Sequence, residues 1–400
     1  MKLPKMNPLR RACAGLIALA LALAMASSAA LAENPGEIAL DPGAGALSGK
    51  GATAASSYPA FNWEMLLALE KTRLGQISAD QGAAPFSQAN FLDPIVQLAL
   101  EFKLSPEWGV YALSQARNLS GGADNRVFDG VDAQLLNLFL AYQSQDKERS
   151  VFAGKFDVSF GEAWHRVDGI YSGFSEDYHY QGALGLGARR GWRSGWGKMA
   201  LSAMAFKRDH GITRDTWFAP RDELRAQADE NGLANTPGLR SAGLSWELSE
   251  MPGVDGLRLN VDAGHVAQGI QGRRAMDVAA ATLEYKHQLA QDTELRLYGE
   301  LVSARGFDGR ELAAQHATLS ASLVAGRFVW TATGARRSFS ALSGDLASQG
   351  MTPRDRGVAV ALTYASEAGP VLQAGVARQH AQGLAVTQLT LRAIWLWAPH

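Results

Sequence analysis

The sequence holds a single cysteine, Cys13, in 400 residues. That excludes an internal disulfide, and it excludes a thiolate metal centre, which needs several sulfur ligands. Charge of one sign is not in excess either, with 38 Lys and Arg against 39 Asp and Glu. Without a concentrated basic patch, no nucleic-acid partner is expected. Beyond residue 32 there is no run of 18 or more uncharged apolar residues, which excludes a chain that crosses the inner membrane on helices. Catalytic signatures are missing as well. Neither a G-x-S-x-G elbow nor an H-E-x-x-H metal motif occurs. Gly182, Gly185 and Gly187 lie within a strand-like alternation with no helix behind them, so they do not make a phosphate-binding loop.

What is present begins with an export signal. Lys2, Lys5, Arg10 and Arg11 precede an apolar run from Ala12 to Met25, and Ala30-Leu31-Ala32 gives an A-x-A cleavage site before Glu33. The run is shorter than the roughly 20 residues of a membrane-spanning helix. Residues 1–32 are therefore expected to be a cleaved signal peptide, whose removal takes away Cys13, four basic residues and no acidic one. Residues 33–60 are rich in Gly, Ala, Ser and Pro and carry no periodicity. They read as a flexible extension, with a short folded plug as the alternative.

From residue 61 a period of two dominates, which means strands with two different environments. Phe61, Trp63, Met65, Leu67 and Leu69 alternate with Asn62, Glu64 and Glu70. Val96, Leu98, Leu100 and Phe102 alternate with Gln97, Glu101 and Lys103. Leu257, Leu259 and Val261 oppose Arg258, Asn260 and Asp262; Leu295, Leu297 and Leu301 oppose Arg296, Tyr298 and Glu300. The segments run about 9–11 residues, the length that crosses a bilayer at a tilt. Short links such as 145–150, 251–256 and 290–292 alternate with long ones at 161–177, 209–238 and 338–356. Trp63, Trp108, Trp192, Trp196, Trp246 and Trp330 fall near strand ends, as interfacial aromatics do. Leu389, Leu391, Ala393, Trp395 and Trp397 share one face of the last strand, which resembles the terminal assembly signal of outer-membrane barrels. The expected fold is all-β: residues 61–400 form a transmembrane antiparallel β-barrel of about 16 strands (14–18), with short periplasmic turns and long extracellular loops.

The stretch from Val151 to Gly191 carries the strongest alternation and the most suggestive link. Phe152, Phe156, Val158 and Phe160 are expected to face lipid, with Lys155, Asp157, His179 and Arg189 on the lumen side. The segment Gly154-Lys155-Phe156-Asp157-Val158-Ser159-Phe160-Gly161 resembles the G-K-F/L-x-x-x-F-G strand-to-loop element of bacterial outer-membrane porins, in the broad group holding phosphate-selective and siderophore porins. Gly169-Ile170-Tyr171 and Glu176-Asp177-Tyr178 are similar to the loop and next strand of that group. The resemblance implies a channel for small hydrophilic solutes, often trimeric; separately, with the catalytic signatures missing, no cofactor and no enzyme activity are expected.

For a channel, the charges at the narrowest point set ion selectivity. Lys155, Asp157, His179, Arg189, Arg258, Asp262, Arg296 and Glu300 have lumen parity and are the candidate pore-lining residues. Ordinary ion pairing between neighbouring strands is their plainer reading. The link from 161 to 177 holds Glu162, His165, Arg166, Asp168, Glu176 and Asp177. Folded inward, it narrows the bore; folded outward, it is a solvated surface loop. Glu162, His165 and Asp168 lack metal-site spacing, so no metal is expected. Arg189-Arg190 and Arg336-Arg337 are read as rim pairs on the long-link side. The expected partners are outer-membrane lipid and lipopolysaccharide, the barrel-assembly machinery, small solutes and further copies in a homotrimer. Two competing functions stay open: a barrel-embedded lipid hydrolase and a soluble periplasmic β-protein.

Overall fold

The computed structural model describes residues 40–41, 46–47, 58–79, 89–118, 131–169, 174–209, 232–269, 274–346, 351–366 and 369–398. The expected signal peptide lies outside them, as does most of the extension. Within the extension, Leu40–Asp41 and Ala46–Leu47 pair as a two-stranded antiparallel ladder.

Sixteen strands follow in chain order. The first eight are β1 (Ala60–Ala79), β2 (Ala89–Lys103), β3 (Trp108–Asn118), β4 (Val131–Gln143), β5 (Arg149–Ser159), β6 (His179–Ser194), β7 (Gly197–Arg208) and β8 (Ser241–Ser249). The second eight are β9 (Leu257–Val266), β10 (Met276–Ala290), β11 (Thr293–Arg305), β12 (Leu312–Ala325), β13 (Phe328–Ala341), β14 (Arg354–Ala365), β15 (Val371–Ala381) and β16 (Leu384–Trp397). Every strand pairs antiparallel with its sequence neighbours, and β16 returns to pair with β1, closing the barrel. Closure leaves no edge strand, so each strand has a ladder on both sides, interrupted locally by bulges.

The alternation of side chains explains the wall. In β9, Val261 is exposed outward while Asn260 and Asp262 are buried inward. Leu301 of β11 and Leu319 of β12 point out, and Glu300 and Thr318 point in. Leu389 and Leu391 of β16 also face out, beside inward Thr390 and Arg392. In these strands the outside is thus an apolar belt and the inside is polar, the arrangement of a barrel whose solvent on the outside is lipid. That belt removes the reading as a soluble β-protein. The interior is not wide open: Glu64, Glu70, Gln97, Glu101, Gln388, Thr390 and Arg392 are all buried.

The two ends differ. At one end the links are short, such as Gly195-Trp196, Gln291-Asp292 and Gly326-Arg327, and the first and last strands begin and finish there. Trp63, Trp108, Trp192, Trp196, Trp246 and Trp330 all lie toward this end. The other end carries the long links, with two exceptions, the six residues 306–311 between β11 and β12 and a tighter turn at 382–383. Gln382-Gly383 joins β15 to β16 as a two-residue turn, both residues at positive φ as a tight hairpin requires.

One expectation about the wall is overturned. Phe152, Phe156, Val158 and Phe160 do not face lipid; all four are buried inside. Phe152 meets Phe139 and Phe156, Tyr111 stacks on Phe139, and Phe160 approaches Tyr180 and Phe206. The rings fit because lumen-facing glycines sit opposite them: a Cβ on Gly187 would lie 2.3 Å from Phe152, and one on Gly264 would lie 2.0 Å from Phe160. Here the outward side is Val151 and Ala153. At the register irregularity between Phe156 and Val158 the extra residue is on β6, where Gln181 and Gly182 stand opposite Asp157 alone.

Candidate functional site: a loop docked across the barrel interior

The link between β5 and β6 folds inward. Its described parts are residues 160–169 and 174–178, which contain a four-residue helix α1 (Ala163–Arg166) and a 3-10 turn (Ser175–Tyr178). The link leaves the wall at β5 and, apart from ring contacts of Phe160, Trp164 and His165 with β6 and β7, its partners belong to β9 through β14, further round the ring.

Glu300 of β11 is the principal anchor. One of its oxygens, Oε2, accepts the backbone N–H of Glu162 at 2.5 Å and of Ala163 at 2.9 Å. The same oxygen accepts the hydroxyls of Tyr298 at 2.7 Å and Thr282 at 3.1 Å. Oε1 accepts the Tyr178 hydroxyl at 2.5 Å. A carboxylate surrounded by donors binds them more strongly than a neutral acceptor does. Two of those donors are the otherwise unsatisfied amides at the start of α1. Next to it, Asp262 of β9 accepts the Gly161 N–H at 2.8 Å. Gly161 has φ +101°, and a Cβ there would lie 2.8 Å from Glu300 Oε2, so only glycine fits this corner.

Charged side chains extend the docking on both sides. Arg258 of β9 donates bidentately to Glu162 and also reaches Glu247 at 3.0 Å. Arg166 approaches Glu162 at 3.9 Å and Glu284 at 4.0 Å. Asp168 lies 3.4 Å from Arg296, which also holds Glu294 at 2.6 Å. Toward the long-link end, Arg337 joins Asp177 at 2.7 Å and Asp355 at 2.6 Å, and its guanidinium covers the Phe174 ring. A cleft of only about 10 Å³ is left between Arg166, Asp168, Glu284 and Arg296, room for no more than about one water.

Burial shifts the titration of the link itself. The His165 imidazole is pushed down to about 4 by burial and stays neutral near pH 7. Glu176 is pushed up to about 7, first by burial and then by the neighbouring Asp177. Burial also raises Asp168, against the pull of Arg296.

The sequence-derived candidates divide by position. Glu162, Arg166, Asp168, Asp177, Arg258, Asp262, Arg296 and Glu300 meet in the docking site. Glu176 is beside Asp177. His165 is buried against His179, their ring centroids 5.1 Å apart, and Trp164 packs on the same His179 ring. Asp157 accepts the Gly182 N–H at 2.7 Å and lies 3.8 Å from His179. Lys155 is apart from the site: its ammonium is buried 3.2 Å from Asp209, in register with the outward Leu138. Arg189 faces Glu247 at 3.7 Å. Arg189 and Arg190 pair with Ser150 and Arg149, just past a short turn, so they belong to the short-link half and not to the long-link rim. The cause is the length of β6, which runs on to Ser194. Thr282, Glu247, Glu284 and Asp355 carry no signal of their own in the sequence, and Tyr178 and Tyr298 stand out only as parts of a motif and of an alternation, not as site residues. Parity alone marks Glu284 as inward beside outward Leu283, but nothing local marks which inward residues receive the link.

No family model and no curated protein matches the chain. Solved structures do. DcaP, an outer-membrane channel of Acinetobacter baumannii, superposes with a TM-score of 0.54 at 9% identity, covering 84% of this chain and 97% of that one. OprB of Pseudomonas putida gives 0.54 at 9% identity, over 85% of this chain and 94% of its own. OmpT, an outer membrane protein of Vibrio cholerae, gives 0.50 at 10% identity, over 84% and 97%. At such identities the likeness is one of architecture: the chain has the closed antiparallel barrel fold of outer-membrane porins.

Proposed function

We propose that the protein is a narrow outer-membrane channel for diffusion of small hydrophilic solutes or ions, with the link between β5 and β6 as its constriction. The observation that carries this reading is the inward docking of that link onto Glu300, Asp262 and Arg258, across the ring from where it starts. Sixteen-stranded barrels enclose an aqueous channel, and a loop held inside takes up part of its cross-section. The buried state of many interior polar side chains favours a small bore. Lys155, Asp157, His179 and Arg189 are then wall residues outside the docking cluster, and the charged residues of the docked link border the passage. Carboxylates outnumber guanidinium groups around it, which favours a mild preference for cations.

On this reading the chain is exported through its cleaved N-terminal signal and assembled in the outer membrane of a Gram-negative cell. The outward apolar face of β16 is available to the assembly machinery, and a homotrimer is the expected assembly. The test is conductance in planar bilayers. Purified, heat-modifiable protein should give small discrete steps; folded protein that gives none overturns the proposal. Phospholipid hydrolysis by that same preparation, lost on replacing one histidine, would favour the lipid-hydrolase alternative.

A further inference from the structure

The outer wall carries a cationic patch that the channel reading does not use. On β13, β14 and β15 the outward parity near the long-link end is Arg336, Arg354, Arg356 and Arg378, and all four are exposed. Arg336 stands directly opposite Arg356 in the ladder, and Arg356 is opposite His380. Arg378 pairs with outward Val358, one step further along. With strands about 4.8 Å apart and same-face residues about 6.6 Å apart along a strand, four guanidinium groups crowd one small area of wall. None of the four has an ion-pair partner among the described residues. Like charges facing one another across a ladder repel, and the described residues supply no anion to offset them, so an anion bound from outside would stabilise the arrangement.

The position of the patch says where that anion is. Below Arg356 the outward residues of β14 are Val358, Val360 and Leu362, and Tyr364 ends the series near the short-link end beside Phe328. The arginines therefore mark one border of the apolar belt and the aromatic girdle marks the other. A border of this kind lies at headgroup depth. A second copy of this chain is a poor occupant. Among the described strand residues that face out in the long-link half, Asp277 is the one acid, and His265 already holds it at 2.8 Å.

We infer that Arg336, Arg354, Arg356 and Arg378 form a binding site for the phosphate groups of an anionic outer-leaflet glycolipid. The inference rests on the proposed orientation, with the long links on the outer side. Guanidinium groups suit it because each offers phosphate a planar pair of donors. The acyl chains would lie along Val358, Val360 and Val376, all strongly exposed.

The test uses the folded full barrel in detergent, with native mass spectrometry reading bound lipid. The probes are bisphosphorylated lipid A, the same lipid with its phosphates removed, and inorganic phosphate as competitor. Wild-type protein should retain the phosphorylated lipid at least about tenfold better than the dephosphorylated one, and millimolar inorganic phosphate should not displace it. The Arg356→Gln/Arg378→Gln variant should lose most of that preference while keeping its heat-modifiable gel shift. Equal retention of the two lipids, or an unchanged preference in the variant, overturns the inference. Displacement by inorganic phosphate alone also overturns it, by making this a free-anion site. A variant that falls from oligomer to monomer with lipid retention unchanged does so too, by making the patch an interface between copies. Conductance is measured on the same preparations and should not change in the variant. Absence of conductance in the wild type strikes the channel reading and leaves the lipid measurement to stand or fall by itself.

Discussion

At the scale of the residue, Glu300 does more than any other side chain to hold the link inside. Its five donors come from the link, from β10 and from its own strand. Replacing it by glutamine keeps the volume but removes the charge and turns one acceptor into a donor. Glu300→Gln should weaken docking by about 1–3 kcal/mol, the range for leaving a buried partner unsatisfied. The expected readouts are larger or noisier conductance steps and faster proteolysis of the link, with the gel shift of the barrel intact. Gly161→Ala should act in the same direction, since its Cβ enters the space of the Glu300 carboxylate. Unchanged steps in both variants would place the constriction elsewhere.

Glu176 gives the docked link a dependence on pH. Its carboxyl is raised by burial and by Asp177. A group raised in the folded state favours docking fully below its ordinary value and loses that contribution as pH rises through about 7. Acidifying from pH 8 to 5.5 should therefore tighten the link and remove one negative charge from its surroundings. Reversal potentials in a salt gradient should move toward anions on acidification, and Glu176→Gln should flatten that response. A shift of the same size in the variant would assign the titration to another group.

At the scale of the element, the seam between β16 and β1 depends on an interior pair. Arg392 donates to Glu70 through Nε at 2.8 Å and again through Nη2, and Thr72 meets Thr390 at 3.0 Å. Both charged groups are buried, so Glu70→Ala leaves an uncompensated guanidinium at a cost of about 3–5 kcal/mol. Replacing both partners with leucine should recover most of that loss, as read from urea unfolding followed by tryptophan fluorescence. On the other face of the wall, Leu319 is 70% exposed at the middle of β12. Leu319→Arg should destabilise the barrel by about 2–4 kcal/mol in bilayers, whereas an arginine at Thr318 would not meet lipid.

The strands whose direction could be read from sequence are those in which leucine occupies one parity and charge the other, such as β9, β11 and β16. In β5 the same period of two misled, because alternation reports two environments and does not say which is lipid. Bulky rings on one side and Val151 and Ala153 on the other fit either assignment. The deciding cue sat on other strands, in glycines with lumen parity at 187, 243 and 264 that leave room for inward rings. The docking site was only half legible. Its charged members were visible as lumen-parity residues, but Glu300 and the amide of Glu162 are 138 residues apart. No local pattern encodes such a pairing.

At the scale of the whole molecule, one ring of strands carries three surfaces with different tasks. On the proposed readings, the outward belt meets hydrocarbon, the interior meets water and the docked link, and the arginine border meets headgroups. The functional proposal assigns the passage of solutes to the second of these alone. Substitutions in the belt should therefore change stability in membranes without changing ion selectivity, and substitutions around Glu300 should do the reverse. A belt variant such as Leu319→Arg that altered selectivity would break this division.

The seam pair also bears on how such a chain comes to be made. Glu70 and Arg392 are 322 residues apart, so the contact that completes the ring cannot form until the last strand has been delivered. Until then β1 and β15 present open ladders, each able to recruit another chain. A nascent protein lacking only its final fourteen-residue strand is thus nearly all wall and wholly unsealed. Quality control that monitors the last strand would inspect the whole product at once.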